Sequence, residues 1–531
     1  MKIDFTNINF EDEVQLDLNI NDLNFKIKNV CNNLPALNIA KNSELLNLTI
    51  EKTESFKQHK TKFVVFGTGG SNLGARALIN ILVDQPDNIL FFDNIDPLFF
   101  QSQILKLDFA TTGFIVISKS GTTPETLSQL GTIVNIANEK NILNTLYNNM
   151  MVITEFKDSP LFNIAKKNNC LLLEHQDDIG GRFSVFSNVG MVPAIIAGLN
   201  VKKIHEGVVK VLNKNDFNNP FKFAQMFKYS VANNFSSSVL MTYSDGLNYF
   251  GKWYLQLWAE SIGKQNRGVT VLHATGTTDQ HSQLQLYLDG PKDKFFTIIK
   301  SNYKNKGLLI DSQLMKDESI DYLVNKKMGD LMHAEQDATI DTFKLNGFKF
   351  REIFIESIDE ENIGMLMANS IIETIAACIY FDVDPFNQPA NLMQSMLTSL
   401  HISSGALDVL GAMTYKGVIE NGEWWRLLAS TFLHGFGLHI AMNMFALYLF
   451  GPKVVKALGH TRFLFVYLVA GIGAATAVML VNYGFAELGI TRILMWEVGR
   501  DYPLVGASGC VMGLVGSNAV LLFREWIATH D

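Results

Sequence analysis

The sequence predicts an α/β fold of two doubly wound lobes, followed by an all-α membrane segment of about three transmembrane helices. Up to residue 390, short β-branched and aromatic runs alternate with helical stretches, and two of these runs open into glycine-rich or hydroxyl-rich loops. Beyond residue 390, long apolar runs follow one another. We divide the chain into a lead-in (1–50), a first lobe (51–210), a second lobe (211–390), a junction with an interfacial segment (391–426) and a partial transmembrane domain (427–531).

Charge and cysteine usage exclude several classes of protein. The formal net charge of −8 falls on the first 390 residues, because acidic and basic residues balance beyond them. An acidic chain is a poor nucleic-acid binder, since phosphate backbones require clustered Lys and Arg. The N-terminus has no apolar run typical of a signal peptide, so we expect the first part in the cytosol. Four scattered cysteines argue against a metal knuckle or a CxxC pair and are expected to be small buried hydrophobes: Cys31, Cys170, Cys378 and Cys510.

The first lobe contains two strand–loop–helix units. Strand Lys62–Phe66 opens into the glycine-rich loop Gly67–Gly74, and strand Gly113–Ser118 opens into Lys119–Pro124, each followed by a helix-like stretch. Further strands are expected at Met150–Thr154 and Cys170–Leu173, and a mostly apolar helix at Phe183–Leu199.

Both loops have features of a phosphate site. Glycines let backbone amides approach an anion at a helix N-terminus, and the second loop adds several hydroxyl donors. Either loop alone is equally explained by turn and N-cap chemistry. Because the carboxyl ends of parallel strands meet at one edge of a sheet, the two loops together favour phosphate binding. The hydroxyl donors are Ser118, Ser120, Thr122 and Thr123.

The second lobe is expected to contain strands Ser237–Tyr243, near Thr270 and Phe296–Lys300, and helices Phe250–Ile262, Ile320–Ala334 and Ile363–Phe381. Within helix Phe250–Ile262, Glu260 lies among apolar residues, with Gln256 one turn earlier on the same face. A carboxylate in an aromatic interior suits a proton shuttle, although a solvated or paired glutamate is the alternative. Arg182 follows two glycines and faces the cleft or forms a surface ion pair.

Three uncharged apolar runs after residue 390 are transmembrane candidates: Leu427–Phe450, Phe463–Tyr483 and Leu504–Phe523. A buried hairpin in a soluble protein is the alternative. Met396–Tyr415 is less apolar and is expected to be interfacial. Four of the six tryptophans belong to this part of the chain and lie just outside the runs, where interfacial anchors are expected: Trp424, Trp425, Trp496 and Trp526.

Five motifs resemble glucose-6-phosphate isomerase, in the order of that family, over about residues 1–390. They are Phe66–Gly74, Ile117–Thr126, Gly180–Ser184, Gln256–Lys264 and Asp279–Ser282. The resemblance implies two sugar-isomerase lobes and interconversion of glucose 6-phosphate and fructose 6-phosphate through a cis-enediol. It implies no cofactor and no metal, and a homodimer in which a histidine reaches the site from the partner subunit.

The resemblance also assigns roles to residues. Glu260 would move a proton between C1 and C2, Arg182 would stabilise the enediolate, and His281 would assist ring opening. The sugar phosphate would be bound by Gly70, Ser71, Ser118, Lys119, Ser120, Thr123 and Gln256. The family continues after a segment like Asp384–Ala390 to a catalytic lysine, but here the chain continues as Asn391–Met396 and reaches no lysine before Lys416. We therefore expect impaired ring opening.

Residues from about 400 onward resemble a rhomboid intramembrane serine protease. His439 and Asn443, at i and i+4 on one helix face, would serve the oxyanion, and Ser508 in Gly506–Gly509 would be the nucleophile. Small-residue helix packing is the alternative for that loop. The family's base histidine belongs to a later helix that is missing from this sequence, so we expect no proteolysis and consider a phosphosugar-binding, membrane-embedded remnant as the alternative function. The basic loop Gly451–Arg462 is expected on the cytoplasmic side, which conflicts with a cytosolic first part.

Overall fold

The computed structural model describes residues 1–9, 20–84, 86–214, 217–264, 267–313, 315, 317–386, 412, 414, 416–433, 437–487, 492–493 and 496–497. It divides the chain into two compact units, Met1–Pro389 and Ala390–Asp531. After the resemblance of its motifs, we refer to the first as the isomerase unit, and we refer to the second as the C-terminal unit.

The first sheet of the isomerase unit has the order β3-β2-β4-β5-β6, and all its strands are parallel. Its central strands are buried along their whole length, as the uninterrupted apolar runs in the sequence require. The strands are β2 (Lys62–Phe66), β3 (Ile89–Phe92), β4 (Thr112–Ile117), β5 (Met150–Thr154) and β6 (Leu171–Glu174). The helices of this lobe are α4 (Leu73–Leu82), α5 (Pro97–Ile104), α6 (Pro124–Glu139), α7 (Leu143–Asn148), α8 (Pro160–Lys167) and α9 (Asn188–Ile196).

The second sheet has the order β1-β10-β9-β7-β8, in which β1 alone is antiparallel to its neighbour. Its strands are β1 (Lys2–Thr6), β7 (Ser237–Thr242), β8 (Thr270–Thr275), β9 (Lys294–Ser301) and β10 (Phe350–Ile355). The helices that precede β7 in the chain and lie outside the first lobe are α1 (Ile20–Asn32), α2 (Pro35–Asn38), α3 (Ser43–Lys57), α10 (Val201–Lys214) and α11 (Asn218–Ala232). The helices that follow β7 are α12 (Asn248–Ile262), α13 (Thr278–Ser282), α14 (Leu284–Asp289), α15 (Met328–Leu345) and α16 (Glu360–Tyr380).

The largest apolar core joins the two lobes. It includes residues of α9, α10, α11, α12 and α16, and α10 packs closely on α16. Helix α16 is long and apolar enough to cross a membrane, but 94% of its 18-residue apolar window is buried inside the protein. It is therefore a core helix of this unit. Three of the four cysteines are buried thiols, namely Cys31, Cys170 and Cys378; Cys510 lies outside the described residues.

The predicted α/β class with parallel sheets is confirmed, but several elements differ from the prediction. The single helix expected at Phe183–Leu199 is a 3₁₀ helix, Gly181–Phe186, followed by α9. Ser187 separates them because its hydroxyl caps α9 by accepting from the Val189 amide. The helix expected from Ile320 begins only at Met328, where Asp330 accepts from the Lys327 amide at 2.8 Å. Strands β1, β3 and β10 were not predicted.

The C-terminal unit contains α17 (Arg426–Ala429), α18 (Gly437–Leu458) and α19 (His460–Glu487), with a short hairpin of β11 (Arg492–Ile493) and β12 (Trp496–Glu497). Helices α18 and α19 overlap the first two predicted apolar runs. The first 18 residues of α19 pass the length and hydropathy test for a membrane span, and 6% of that window is buried. The third predicted run, Leu504–Phe523, and most of Met396–Tyr415 lie outside the described residues.

Candidate active site

Arg182 is buried in the isomerase unit and its guanidinium is held from three directions. It follows Gly180 and Gly181 into the 3₁₀ helix, and its side chain is 2% exposed. Nε donates to Ser261 Oγ at 2.9 Å, Nη1 to Glu260 Oε2 at 3.3 Å, and Nη2 to the Pro385 carbonyl oxygen. Burial lowers the pKa of this guanidinium, and the neighbouring Glu260 carboxylate opposes that effect. The alternative of a surface ion pair is therefore wrong.

Glu260 lies on α12, and both of its carboxylate oxygens have a partner. Oε1 accepts from Gln256 Nε2 at 2.8 Å, and Oε2 faces Arg182. Gln256 is one turn earlier on the helix, so the i, i+4 spacing read from the sequence places the amide on the carboxylate. The side chain of Glu260 remains 31% exposed, so a substrate can reach the carboxylate.

The glycine-rich loop packs directly against these residues. Residues Gly69–Ser71 form one 3₁₀ turn, and a Cβ placed on Gly70 would lie 2.3 Å from the Gly181 carbonyl oxygen and 2.7 Å from the Arg182 amide nitrogen. Gly69 has a φ of +57°, and a Cβ there would lie 2.9 Å from Gln256 Nε2. Only glycine fits the close backbone approach at Gly70, and the positive φ at Gly69 favours glycine there. The loop therefore places Gly70 against Arg182 and Gly69 against Gln256, whose amide donates to the Glu260 carboxylate.

Four buried polar atoms around this loop have no hydrogen-bond partner among the described residues. They are Thr68 Oγ1, both amide atoms of Asn72 and Gln256 Oε1. Buried polar groups are normally paired, so such a concentration indicates atoms available to a ligand or to water. The sequence analysis gave no role to Thr68 or Asn72, although both lie inside the motif that it singled out.

The hydroxyl-rich loop follows β4, the strand next to β2, so the two loops begin at adjacent positions on one sheet edge. Ser118 Oγ lies 2.8 Å from Thr123 Oγ1 and accepts from the Gly121 amide at 3.2 Å. Ser120 accepts from the Thr122 amide and hydroxyl at 3.2 and 2.9 Å. This is a compact set of hydroxyl groups at the start of α6.

Lys119 points to a different set of partners. Its ammonium donates to the Asp177 carbonyl oxygen at 2.7 Å and lies 3.6 Å from a Glu155 carboxylate oxygen. Lys157 also pairs with Glu155. Lys119 thus ties the hydroxyl-rich loop to the segment that follows β6.

Among the described residues, no contact found joins His281 to Glu260 or to Arg182. It is exposed on the short helix α13, which follows the edge strand β8. Asp279 on the same helix accepts from the Thr275 amide at 2.6 Å and from Ser282 Oγ at 2.7 Å. Burial alone would raise the pKa of Asp279, but these hydrogen bonds outweigh it and hold the pKa below its ordinary value.

The protease-like residues can be followed only in part. His439 and Asn443 both lie on α18, four residues apart, and Asn443 is 6% exposed. Ser508 lies outside the described residues. The predicted grouping of the three side chains therefore stays a prediction.

Comparison with known proteins agrees with the division of the chain into an isomerase unit and a C-terminal unit. The phosphoglucose isomerase model matches residues 45–397, and the Rhomboid domain model matches residues 421–530. A glucose-6-phosphate isomerase of Methanocaldococcus jannaschii is 33% identical over 334 residues, which cover 62% of this chain and 80% of the relative. That of Rubrobacter xylanophilus is 31% identical over 369 residues, covering 66% of this chain and 85% of the relative.

Solved structures share the fold. A hypothetical protein of Thermus thermophilus superposes with a TM-score of 0.66 at 25% identity, over 71% of this chain and 94% of that one. A glucose-6-phosphate isomerase of Chlamydia trachomatis superposes with a TM-score of 0.57 at 20% identity, over 73% of this chain and 78% of that one. The Rhomboid match places the C-terminal part among membrane-associated domains. With a family model matched over more than half of its length, this chain belongs to the phosphoglucose isomerase family.

Proposed function

We propose that this chain is an aldose–ketose isomerase that interconverts glucose 6-phosphate and fructose 6-phosphate through a cis-enediol. The observation that carries the proposal is the pairing of Glu260 with the buried Arg182. A carboxylate that is fixed by two donors and still partly exposed can remove a proton from a substrate carbon.

In the proposed reaction, Glu260 takes the proton from C2 of the open-chain aldose and returns it to C1 of the enediol. Electrons move from the C2–H bond into the C1–C2 bond, and the C1 carbonyl oxygen gains the negative charge. The guanidinium of Arg182 stabilises that charge. A second proton moves from the C2 hydroxyl to the C1 oxygen, so that C2 becomes the ketone carbon and C1 carries a hydroxyl. With both protons accounted for, the isomerisation is balanced without an oxidant or a reductant.

We further propose that Ser118, Lys119, Ser120 and Thr123 bind the phosphate and that Gly70, Ser71 and Gln256 line the sugar. The close hydroxyl groups before α6 support the first assignment, because several neutral donors at a helix start suit a dianion. Unpartnered atoms of Thr68 and Asn72 extend the set that could face the sugar hydroxyls.

Ring opening is the step for which this chain is least equipped. We propose that His281 assists it from the partner subunit of a homodimer, which is consistent with the exposure of His281. The family's catalytic lysine has no counterpart between Asp384 and Lys416. We therefore propose that the isomerase is impaired at this step.

We propose a cytoplasmic position for the isomerase unit and a multi-pass membrane position for residues 427–523. Exposed apolar side chains along α19 support the membrane position, since lipid would cover them. A second candidate function is a membrane-embedded, rhomboid-like remnant whose isomerase unit binds sugar phosphate without turning it over. The Rhomboid match is the observation that favours it.

Turnover by the full chain decides between these functions. With the detergent-solubilised protein, Glu260→Gln should reduce isomerisation about 10²–10⁴-fold, because the base is removed while the shape is kept. Glu139→Gln, an exposed position on α6, is the matched control and should retain full activity. Saturable binding of fructose 6-phosphate without any turnover by the parent chain would contradict the isomerase and support the remnant.

A further inference from the structure

A turn at the end of the described isomerase unit, Asp384–Phe386, contacts the site arginine. The Pro385 carbonyl oxygen accepts from Arg182 Nη2, and the Asp384 carbonyl oxygen accepts from Lys264 Nζ at 2.7 Å. The ring of Phe386 lies 5.7 Å, centroid to centroid, from the ring of Phe183. Three separate contacts therefore hold this turn beside Arg182.

The turn accepts one of the three hydrogen bonds described above for the guanidinium of Arg182. Ser261 and Glu260 accept the other two, and both belong to α12. Because the turn is separate from α12, the Pro385 carbonyl anchors the planar guanidinium from a second direction.

Lys264 strengthens the anchor from the other side. It follows α12, four residues after Glu260, and its ammonium is turned onto the carbonyl next to the one that Arg182 uses. Burial and the positive charge of Arg182 lower the pKa of Lys264, while the Asp384 carboxylate opposes that effect. Two neighbouring cations thus share one turn, whose carbonyl dipoles offset their mutual repulsion.

We propose that Lys264 and the Asp384–Phe386 turn are positioning elements that set the guanidinium of Arg182 for the charge formed on the enediolate. The inference rests on the proposed isomerase function and adds residues to it. It also gives the last described residues of the isomerase unit a part in the reaction rate.

The test compares substitutions of Lys264 and Lys252. These lysines lie after and before the site residues Gln256 and Glu260 of α12. Lys264→Met should lower kcat for fructose 6-phosphate roughly 10–100-fold, since a misplacement of about 1 Å costs up to 10²-fold, and leave KM within about twofold. Lys264→Arg should recover most of the rate, because it can still donate to the Asp384 carbonyl. Lys252→Met, on α12 itself, is the matched control and should behave like the parent chain.

Phe386→Ala should give the same pattern through the turn itself. Phe386 is 44% exposed, so the fold should tolerate the change, and the melting temperature of each variant checks this. A loss of kcat that followed the melting temperature, or a rise in KM at constant kcat, would overturn the inference. Equal rates for Lys264→Met and Lys252→Met would overturn it as well.

Ligand binding separates this inference from the proposed function. A five-carbon sugar-phosphate hydroxamate mimics the enediolate, whereas sorbitol 6-phosphate carries the phosphate without that charge. Calorimetry should show weaker hydroxamate binding to Lys264→Met by the same factor as the rate, with sorbitol 6-phosphate binding unchanged. If the parent chain binds the hydroxamate without turnover, the proposed function fails and this binding ratio still decides the inference. A parent chain that binds neither compound would overturn both.

Discussion

Two helices of this protein are similar in sequence character and opposite in environment. Helix α16 in the isomerase unit has a hydropathy of 1.5 and α19 in the C-terminal unit has 1.2, and both are long enough to cross a membrane. Yet 94% of the apolar window of α16 is buried inside the protein, whereas 6% of the apolar window of α19 is buried. Length and apolar composition therefore do not distinguish a core helix from a membrane helix. The distinction depends on whether other helices cover the surface.

The coverage of α16 has an identifiable source. Helices α10, α11 and α12 all pack against it, and these helices also carry the aromatic core of the second lobe. For α19, the described neighbours are α17 and α18, and apolar side chains such as Phe465 and Val469 remain 68% and 52% exposed. Apolar side chains that other helices cover in the isomerase unit are thus left exposed on α19, where the proposed membrane position would cover them with lipid.

The largest expected effect lies at the junction between the two regions, where the family's lysine has no counterpart. Loss of one positioned acid costs about 10²–10⁴-fold, so isomerisation of cyclic glucose 6-phosphate should be slower by that factor than in a relative with the lysine. Proton abstraction from a tetrose 4-phosphate should be much less affected, because its terminal oxygen is esterified and it stays open. Exchange of its C2 hydrogen with deuterium in the solvent measures that step.

A relative that contains the lysine is the control for both substrates. Equal deficits on the cyclic and the open-chain sugar would contradict an assignment of the defect to ring opening. Such a result would place the fault instead at the Arg182–Glu260 pair.

One charged substitution on α19 tests whether lipid covers the apolar face that distinguishes this helix from α16. Val469→Lys places an ammonium on the exposed face of α19 and should disfavour membrane insertion by about 2.5–3.5 kcal/mol if that face meets lipid. Val469→Leu keeps the surface apolar and should insert like the parent chain. Alkaline extraction of membranes measures the bound fraction, and equal extraction of both variants would show that lipid does not cover this face.

The smallest expected effect concerns buried histidines of the isomerase unit. Burial lowers the pKa of His175 and of His205 to about 4, against about 6.5 in an unfolded chain. As the pH falls from about 6.5 towards 4, the unfolded chain takes up these protons first, so the free energy of unfolding decreases. Between pH 7 and pH 5 the loss should be about 1–2 kcal/mol for each histidine.

Hydrogen exchange of peptides from residues 1–386 at the two pH values measures this loss. His205→Gln should reduce it, because the group that gains the proton on unfolding is gone. The exposed His59→Asn is the control, since Asn tolerates the left-handed φ of 63° at that position. An unchanged pH dependence in His205→Gln would contradict this account of acid sensitivity.

Much of the isomerase unit could be predicted from sequence, because its strands are short apolar runs that end in recognisable loops. The spacing of Gln256 and Glu260 was sufficient to place amide and carboxylate together on α12. Strand β1 could not be found in this way. The burial of Lys2–Thr6 alternates only weakly along the strand. The segment forms a strand by pairing with β10, which lies more than 340 residues later in the chain.

The contacts that complete the site depend on tertiary structure as well. Nothing in the sequence around Asp384 indicates that its carbonyl and that of Pro385 accept from Lys264 and Arg182, because backbone acceptors leave no mark in residue identity. The role of Arg182 was predicted from a family resemblance. Its burial was not predicted, because neither the charge of the side chain nor the periodicity of the sequence indicates it.

The antiparallel pairing of β1 with β10 affects how this protein can be made. Residues 350–355 leave the ribosome roughly 20–70 s after Lys2–Thr6 at ordinary elongation rates. During that interval Lys2–Thr6 lacks the strand with which it pairs in the folded protein. The second sheet can therefore be completed only after residue 355 has been synthesised.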